Sequence, residues 1–375
     1  MGKGINLMEI LVTCISSSWG GMEIMALENV KQLNKQGLKT ELFCIKNSPL
    51  HLNAVKENIP TITTNSSIYK NIAELKKIVK NVKIIHSHYS HDLWAIVPAL
   101  KLSRSNAKLF LTKHLASGLK KKDFFHRNLY KRVERIFCIS EFIRKNVIQT
   151  CPVPENRASI LHNGVDLVKF DKSKYSSEKI REELNIENDK IVIALIGRIT
   201  PGKGHKEFIE AAGLINKSNG QKVIFLVIGS SAKGEEGFEK DIRQSAKDRG
   251  IKNIIFTGHR HDIPRILAGI NILAFPSHEE SFGITLLEAM AMEVPVAASR
   301  NAGITDIIPN EEYGMLINPK DSNSLARGLE KLVNDSGLRK KLASNARIRV
   351  EELFDIEKLI KELINYYVID SRFPR

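Results

Sequence analysis

Two carboxylates and two cations stand at spacings that suit a substrate carrying a diphosphate. Glu280 lies in a polar loop, within Phe275-Pro276-Ser277-His278-Glu279-Glu280-Ser281-Phe282-Gly283, and Glu288 follows eight positions on, in the helix that this loop opens. A helix starting near Phe282 or Gly283 offers free N–H groups and a positive dipole end to a phosphate, and Gly283 lets the backbone approach closely. One carboxylate of such a pair can accept hydrogen bonds from sugar hydroxyls while the other takes a ribose diol. On their own the two residues read equally well as a solvated loop acid and an exposed helix acid.

The cations sit in Ile196-Gly197-Arg198-Ile199-Thr200-Pro201-Gly202-Lys203-Gly204. A buried strand delivers Gly197 and Arg198 at its carboxyl end, where open α/β sheets bind ligands. Gly202 and Gly204 then turn the chain around Lys203. Arginine offers a bidentate fork and lysine a point charge, so the pair can neutralise a diphosphate leaving group without a metal. Each alone is an ordinary surface cation; placed in one strand-to-helix loop, they point to phosphate.

The elements that must hold these residues follow from the pattern of apolar runs. Short stretches rich in Val, Ile and Leu alternate with amphipathic ones, the signature of parallel sheets covered by helices on both faces. Strands are expected at Met8–Cys14, Lys39–Ile45, Val82–His86, Leu109–Thr112 and Arg135–Ile139, with helices at Met22–Leu33, Ile72–Lys80, Leu93–Leu102 and Glu141–Gln149. After a connector with Pro152, Pro154 and His162-Asn163-Gly164-Val165-Asp166, the rhythm restarts at Ile191–Ile196, Val223–Ile228, Asn253–Phe256, Ile272–Phe275 and Val294–Ala297. From Ser322 to about Tyr367 two or three helices close the chain. A chain of 375 residues with 42% apolar content can build two cores. The expected division is an acceptor-side domain over 1–168, a nucleotide-binding domain over 169–355, and a terminal helix and tail over 356–375.

Composition excludes several classes. Cys14, Cys44, Cys138 and Cys151 form no C-x-x-C pair, and the apolar runs around Cys14, Cys44 and Cys138 suit core thiols in a reducing cytosol rather than a disulfide frame or a zinc site. No run approaches the roughly 18 apolar residues of a membrane span, and no secretory signal pattern opens the chain. The net charge is +15, and residues 101–150 alone hold 13 Lys and Arg against 3 Asp and Glu. Within them, Lys120, Lys121, Lys122, Arg127, Lys131 and Arg132 interleave with Phe124, Phe125, Leu129 and Tyr130. That composition suits an amphipathic face resting on anionic lipid, and equally a solvated helix with its apolar side on the core.

Taken together, the Gly-Arg…Lys-Gly loop, the Pro-Ser-x-x-Glu-x-Phe-Gly…Glu-Ala-Met segment, the Asn-Gly-Val-Asp connector and an early Gly20-Gly21-Met22-Glu23 resemble the family-4 retaining glycosyltransferases (glycosyl transferases group 1). The resemblance runs from Trp19 to the terminal helices. It implies the GT-B fold: two Rossmann-like domains facing across a cleft, with C-terminal helices packing back toward the N-terminal domain. It also implies that Gly197, Arg198 and Lys203 hold the donor diphosphate and that Phe282, Gly283 and Ile284 give backbone N–H groups. Glu288 would take the ribose, Glu280 would face the donor sugar, and Gly20 and Gly21 would form a loop over the donor. His114 matches a histidine near donor sugar and acceptor. The chain departs from the family pattern at Ala302-Gly303-Ile304-Thr305-Asp306, where a Glu is usual, and at Ile228-Gly229-Ser230-Ser231, where a second glycine is usual.

The expected activity is hexosyl transfer from a nucleotide sugar, a UDP-sugar first and a GDP-sugar second, to a cell-surface glycan or lipid-linked acceptor such as lipopolysaccharide. The family implies retention of configuration by front-face attack, with the leaving phosphate taking the acceptor proton and no enzymic nucleophile. The nucleotide sugar is a co-substrate; no cofactor or metal is expected, since no Asp-x-Asp motif precedes the cleft strands. The expected location is the cytoplasmic, inner face of the cytoplasmic membrane, at an anionic surface. A glycosidase carboxylate pair sits poorly with a cationic diphosphate site. A nucleotide-sugar 2-epimerase of the same fold would need no acceptor and would isomerise its substrate alone. A basic nucleic-acid-binding protein is disfavoured by the lack of any recognisable binding motif.

Overall fold

A computed structural model describes residues 10–65, 67–232 and 234–372. The chain divides into two compact units: one holds the residues up to Asn163 together with those from Ile356 on, the other runs Gly164–Asp355.

The first unit contains β1 (Ile10–Cys14), β2 (Thr40–Ile45), β3 (Thr61–Thr64), β4 (Ile84–Ser87), β5 (Lys108–Lys113), β6 (Val133–Cys138) and β7 (Ala158–Ile160), in a sheet of order β3-β2-β1-β4-β5-β6-β7. Every pairing is parallel. All five residues of β1 are buried, as befits a strand covered on both faces. The second unit repeats the plan with β8 (Ile191–Ile196), β9 (Val223–Ile228), β10 (Ile254–Gly258), β11 (Ile272–Phe275), β12 (Val296–Ser299) and β13 (Met315–Ile317), ordered β10-β9-β8-β11-β12-β13. These are the two Rossmann-like halves of the GT-B fold.

In each sheet the strand order reverses once, between β1 and β4 and between β8 and β11. Loops leaving the carboxyl ends at such a reversal part to opposite faces and leave a crevice, the usual ligand site of open α/β sheets. The loops concerned follow Cys14, Ser87, Ile196 and Phe275.

The terminal helix Ile356–Arg372 belongs to the first unit rather than standing apart. Its Tyr367 is fully buried, with the phenol oxygen 2.5 Å from His86 Nδ1 and the ring against Phe110. Arg135 grips Asp370 with two hydrogen bonds of 2.6 and 2.8 Å. The preceding helices, Ser322–Asn334 and Ser336–Leu353, stay with the second unit. Only one of the expected C-terminal helices therefore returns to the first.

Met8 and Glu9 of the first expected strand lie outside the described residues, as do 373–375 of the tail. Three strands, β3, β7 and β13, were not anticipated. Each is three or four residues long and ends its sheet or lies beside a hydrophilic turn, so none carries the apolar run that marks a central strand. The last expected strand of the second unit, Val294–Ala297, is observed two residues later. The helix Pro49–Lys56, capped by Ser48, was also unforeseen.

Candidate functional site

In the second unit, β8 delivers Gly197 and the exposed Arg198, whose guanidinium makes no hydrogen bond or ion pair among the described residues. The chain then turns through Gly202 and Gly204 to the helix His205–Asn219. Gly204 has φ +78, and a Cβ built there would stand 2.2 Å from the Pro276 carbonyl oxygen. Only glycine permits that approach, which presses the Lys203 loop onto the loop after β11. His278 N–H donates to the Gly202 carbonyl at 2.8 Å, tying the same two loops. As a result Lys203 Nζ lies 2.6 Å from Glu280 Oε2, with the two side chains 32% and 16% exposed.

The helix after this loop starts at Ile284, one residue later than expected, and its N-cap is Gly283 at φ +104. No side chain caps it. The Phe282 ring is buried against Phe354, so only its backbone can meet a ligand. Glu288, half-buried in the second turn, has its carboxyl pushed up to about 7 by loss of solvent, against a smaller opposing pull from Lys169. Neither acid is the freely solvated group that sequence alone allowed.

Three helices begin at a glycine: Gly21–Lys35 at Gly20, His205–Asn219 at Gly204 and Ile284–Ala291 at Gly283. Elsewhere Ser48, Asp123, Ser140, Ser176, Asp321 and Asp335 cap helices with their side chains. The glycine starts follow β1, β8 and, past its loop, β11, although the helices Ile68–Ile78, Leu93–Ser103, Glu236–Asp248 and Ile263–Gly269 also lack a side-chain cap. A missing cap leaves N–H groups open where a phosphate would need them.

In the first unit, the loop between β1 and the Gly21 helix is held from inside. The Asp92 carboxyl accepts from Thr13 Oγ1 at 3.0 Å and from Ile15 N at 3.2 Å, and Ser16 Oγ donates to Glu23 at 2.6 Å. Gly20 has φ −172, extended backbone that any residue adopts, and a Cβ built there would come no nearer than 3.6 Å to the Glu23 carboxylate. His114, just past β5, is buried, and its Nε2 lies 3.0 Å from His88 Nδ1. His88 Nε2 in turn meets Asn29 Nδ2 at 3.1 Å. Burial presses all three histidines of this cluster, His86, His88 and His114, toward the neutral form, His88 to about 3.

The basic segment forms the helix Phe124–Lys131, capped by Asp123. Phe124 and Phe125 are 72% and 66% exposed, and Leu115 and Leu119 beside them are 58% and 76% exposed. Lys120, Lys122, Arg127 and Lys131 are exposed and Lys121 is partly so. Two expectations need correction. Arg132 turns inward, donating to the Ala107 carbonyl at 2.7 Å, and so is not part of a surface patch. Leu129 and Tyr130 are buried in the unit's core rather than interleaved on the surface, because the last turn of this short helix packs inward while its first turn, with Phe124 and Phe125, faces solvent.

Sequence reasoning missed the residues that aim the Glu280 loop. Glu207 Oε1 lies 2.8 Å from His278 Nε2, and Asn301 Nδ2 donates to the Ser277 carbonyl at 2.9 Å. Buried polar atoms of His205, Glu207, Ser299 and Asn301 have no partner among the described residues. No spacing joins these positions; only the order of β8, β11 and β12 brings them together.

Residues 19–169 match the Glycosyltransferase Family 4 model, and residues 176–349 match Glycosyl transferases group 1. The chain is 32% identical over 234 residues to a capsular polysaccharide biosynthesis glycosyltransferase, CapM, of Staphylococcus aureus, a match covering 62% of this chain and 60% of that protein. It is 24% identical over 370 residues to the UDP-Gal:alpha-D-GlcNAc-diphosphoundecaprenol alpha-1,3-galactosyltransferase of Escherichia coli, covering 93% of each. Among solved structures, Anabaena Alr3699/HepE in complex with UDP and glucose superposes with a TM-score of 0.83 at 20% identity, covering 96% of this chain and 99% of that one. At that identity the likeness is one of fold.

Proposed function

This chain belongs to the family-4 glycosyltransferases, and we propose that it moves a hexosyl group from a nucleoside diphosphate sugar to a glycan or lipid-linked acceptor. A UDP-sugar is the first choice of donor and a GDP-sugar the second. The observation that carries this reading is the meeting of Lys203 and Glu280 at 2.6 Å, beside the uncapped helix at Gly283 and the unpaired Arg198. The binding of UDP by the Anabaena protein and the diphosphate-lipid acceptor of the Escherichia coli protein support it.

In this reading the donor diphosphate takes Arg198, Lys203 and the N–H groups of Phe282, Gly283 and Ile284, and Glu288 accepts from the ribose hydroxyls. Gly197 leaves room for the diphosphate. As the sugar–phosphate bond breaks, negative charge builds on the diphosphate, where fixed positive potential in a water-poor site is most effective. Lys203 exchanges Glu280 for phosphate, which turns Glu280 toward the anomeric carbon as positive charge develops there. The acceptor attacks from the leaving-group face, its proton passes to the departing phosphate, and configuration is retained. Neither His114 nor Glu280 acts as nucleophile, and no divalent metal is needed.

The acceptor is supplied at an anionic membrane on its cytoplasmic side. The attachment is peripheral, through the exposed Phe124 and Phe125 and the lysines Lys120, Lys121, Lys122 and Lys131, with Arg127; no helix among the described residues is long and apolar enough to cross a membrane.

Thermal unfolding with UDP, GDP and ADP tests the donor site. A ligand at 100 times its Kd stabilises by about 2.7 kcal/mol. Stabilisation by UDP that disappears in Arg198→Ala is the expected result; equal, small effects of all nucleotides on both proteins contradict it.

A further inference from the structure

The buried chain Asn29–His88–His114 has a direction. An amide Nδ2 can only donate, so at 3.1 Å from Asn29 Nδ2 the His88 Nε2 must accept. A neutral imidazole carries one proton, which places that of His88 on Nδ1. At 3.0 Å this N–H donates to His114 Nε2. The proton of neutral His114 is then on Nδ1, which makes no hydrogen bond among the described residues.

We propose that Asn29 and His88 are positioning residues that lock His114 in the Nδ1–H tautomer, so that it meets the substrate as a hydrogen-bond donor to a hydroxyl oxygen and never as a base. The proposal rests on the glycosyl-transfer reading above and on the expectation that His114 stands near donor sugar and acceptor. Its geometry is set by the sheet. Asn29 lies on the helix after β1, His88 follows β4 and His114 follows β5, three neighbouring strands. The His88 backbone is itself fixed, its N–H donating to the Thr13 carbonyl at 2.9 Å, and its ring stacks on His114 with centroids 5.2 Å apart. His86, 4.7 Å from His88 between ring centroids, is held separately by Tyr367 and Thr112 and stands outside the chain of donors.

Nitrogen NMR on the full chain labelled with ¹⁵N-histidine reads the tautomers directly, independent of catalysis. In the parent, Nδ1 of both His88 and His114 should resonate as pyrrole-type and both Nε2 as pyridine-type. A pyridine-type His114 Nδ1 overturns the proposal. Kinetics then test its consequence. His88→Leu removes the donor to Nε2, leaves His114 in mixed tautomers, and should lower kcat about tenfold, the worth of one hydrogen bond, with donor KM within about twofold. His88→Asn returns an amide donor near the position of Nδ1 and should recover most of that loss. If His88→Leu fails to fold, the parent spectrum and the His88→Asn kinetics decide. A mixed tautomer in His88→Leu with kcat unchanged overturns the donor role while glycosyl transfer stands. Failure of the parent to consume any nucleotide sugar overturns instead the reading beneath it.

Discussion

Lys203 Nζ and Glu280 Oε2 are 2.6 Å apart, an ion pair formed by two residues 77 positions distant in sequence and each assigned to a different part of the donor. The pair means that a diphosphate must compete with Glu280 for Lys203. Partly exposed ion pairs contribute about 0.2–1 kcal/mol, so Glu280→Gln should bind UDP up to about fivefold more tightly while kcat falls more than tenfold. Calorimetry with UDP alone, set beside steady-state rates, checks both halves. Weaker UDP binding in the variant would show that Lys203 serves Glu280 rather than phosphate.

Glu288 gives a pH dependence. Its folded pKa is about 7, and ribose hydroxyls donate to the charged form, so UDP binding must strip a proton below that pH. Affinity of the parent should fall relative to Glu288→Gln by up to tenfold per pH unit below 7; the comparison cancels titration of the nucleotide itself. Stability runs the other way. A carboxyl whose folded pKa is raised above its unfolded value holds an extra proton when folded, and loses stability as pH rises through that window. Glu288→Gln should therefore melt higher than the parent at pH 8 and alike at pH 4. Donor KM should rise in the variant at pH 8 with kcat largely kept. Parallel pH curves for UDP binding would remove Glu288 from the ribose site.

Vesicle binding separates the surface cations from the inward one. Replacing Lys120 and Lys122 by Gln removes attraction of about 1 kcal/mol each at an anionic surface, a loss of about thirtyfold in partition. Phe124→Ser with Phe125→Ser should also weaken co-sedimentation, and less so at high salt for the charge variant because its attraction is already screened. Arg132→Gln should leave binding alone and lower Tm, since Arg132 donates to the Ala107 carbonyl. Equal binding of the parent to neutral vesicles contradicts the membrane assignment.

The central strands were legible because burial on both faces demands unbroken apolar runs such as Ile191–Ile196. The edge strand Thr61–Thr64 was not, since a half-exposed run of threonines carries no such demand. The donor loops could be read from local spacing: Gly197 to Gly204, and Glu280 to Glu288, each fall within one strand-to-helix turn. The Asn29–His88–His114 chain could not, because those three residues come together only through the order β1-β4-β5. Arg132 and Tyr130 were misjudged for a related reason. On a helix of eight residues, composition states that both polar and apolar faces exist but not where a partner carbonyl waits.

The most direct test of the central claim is product analysis after incubating the purified chain with UDP- and GDP-sugars, with and without a lipid-linked glycan acceptor. The account predicts release of nucleoside diphosphate, matched mole for mole by sugar in the lipid fraction with its anomeric configuration retained, and only when acceptor is present. Conversion of a nucleotide sugar to an isomer without acceptor, or inversion of the transferred sugar, would contradict it.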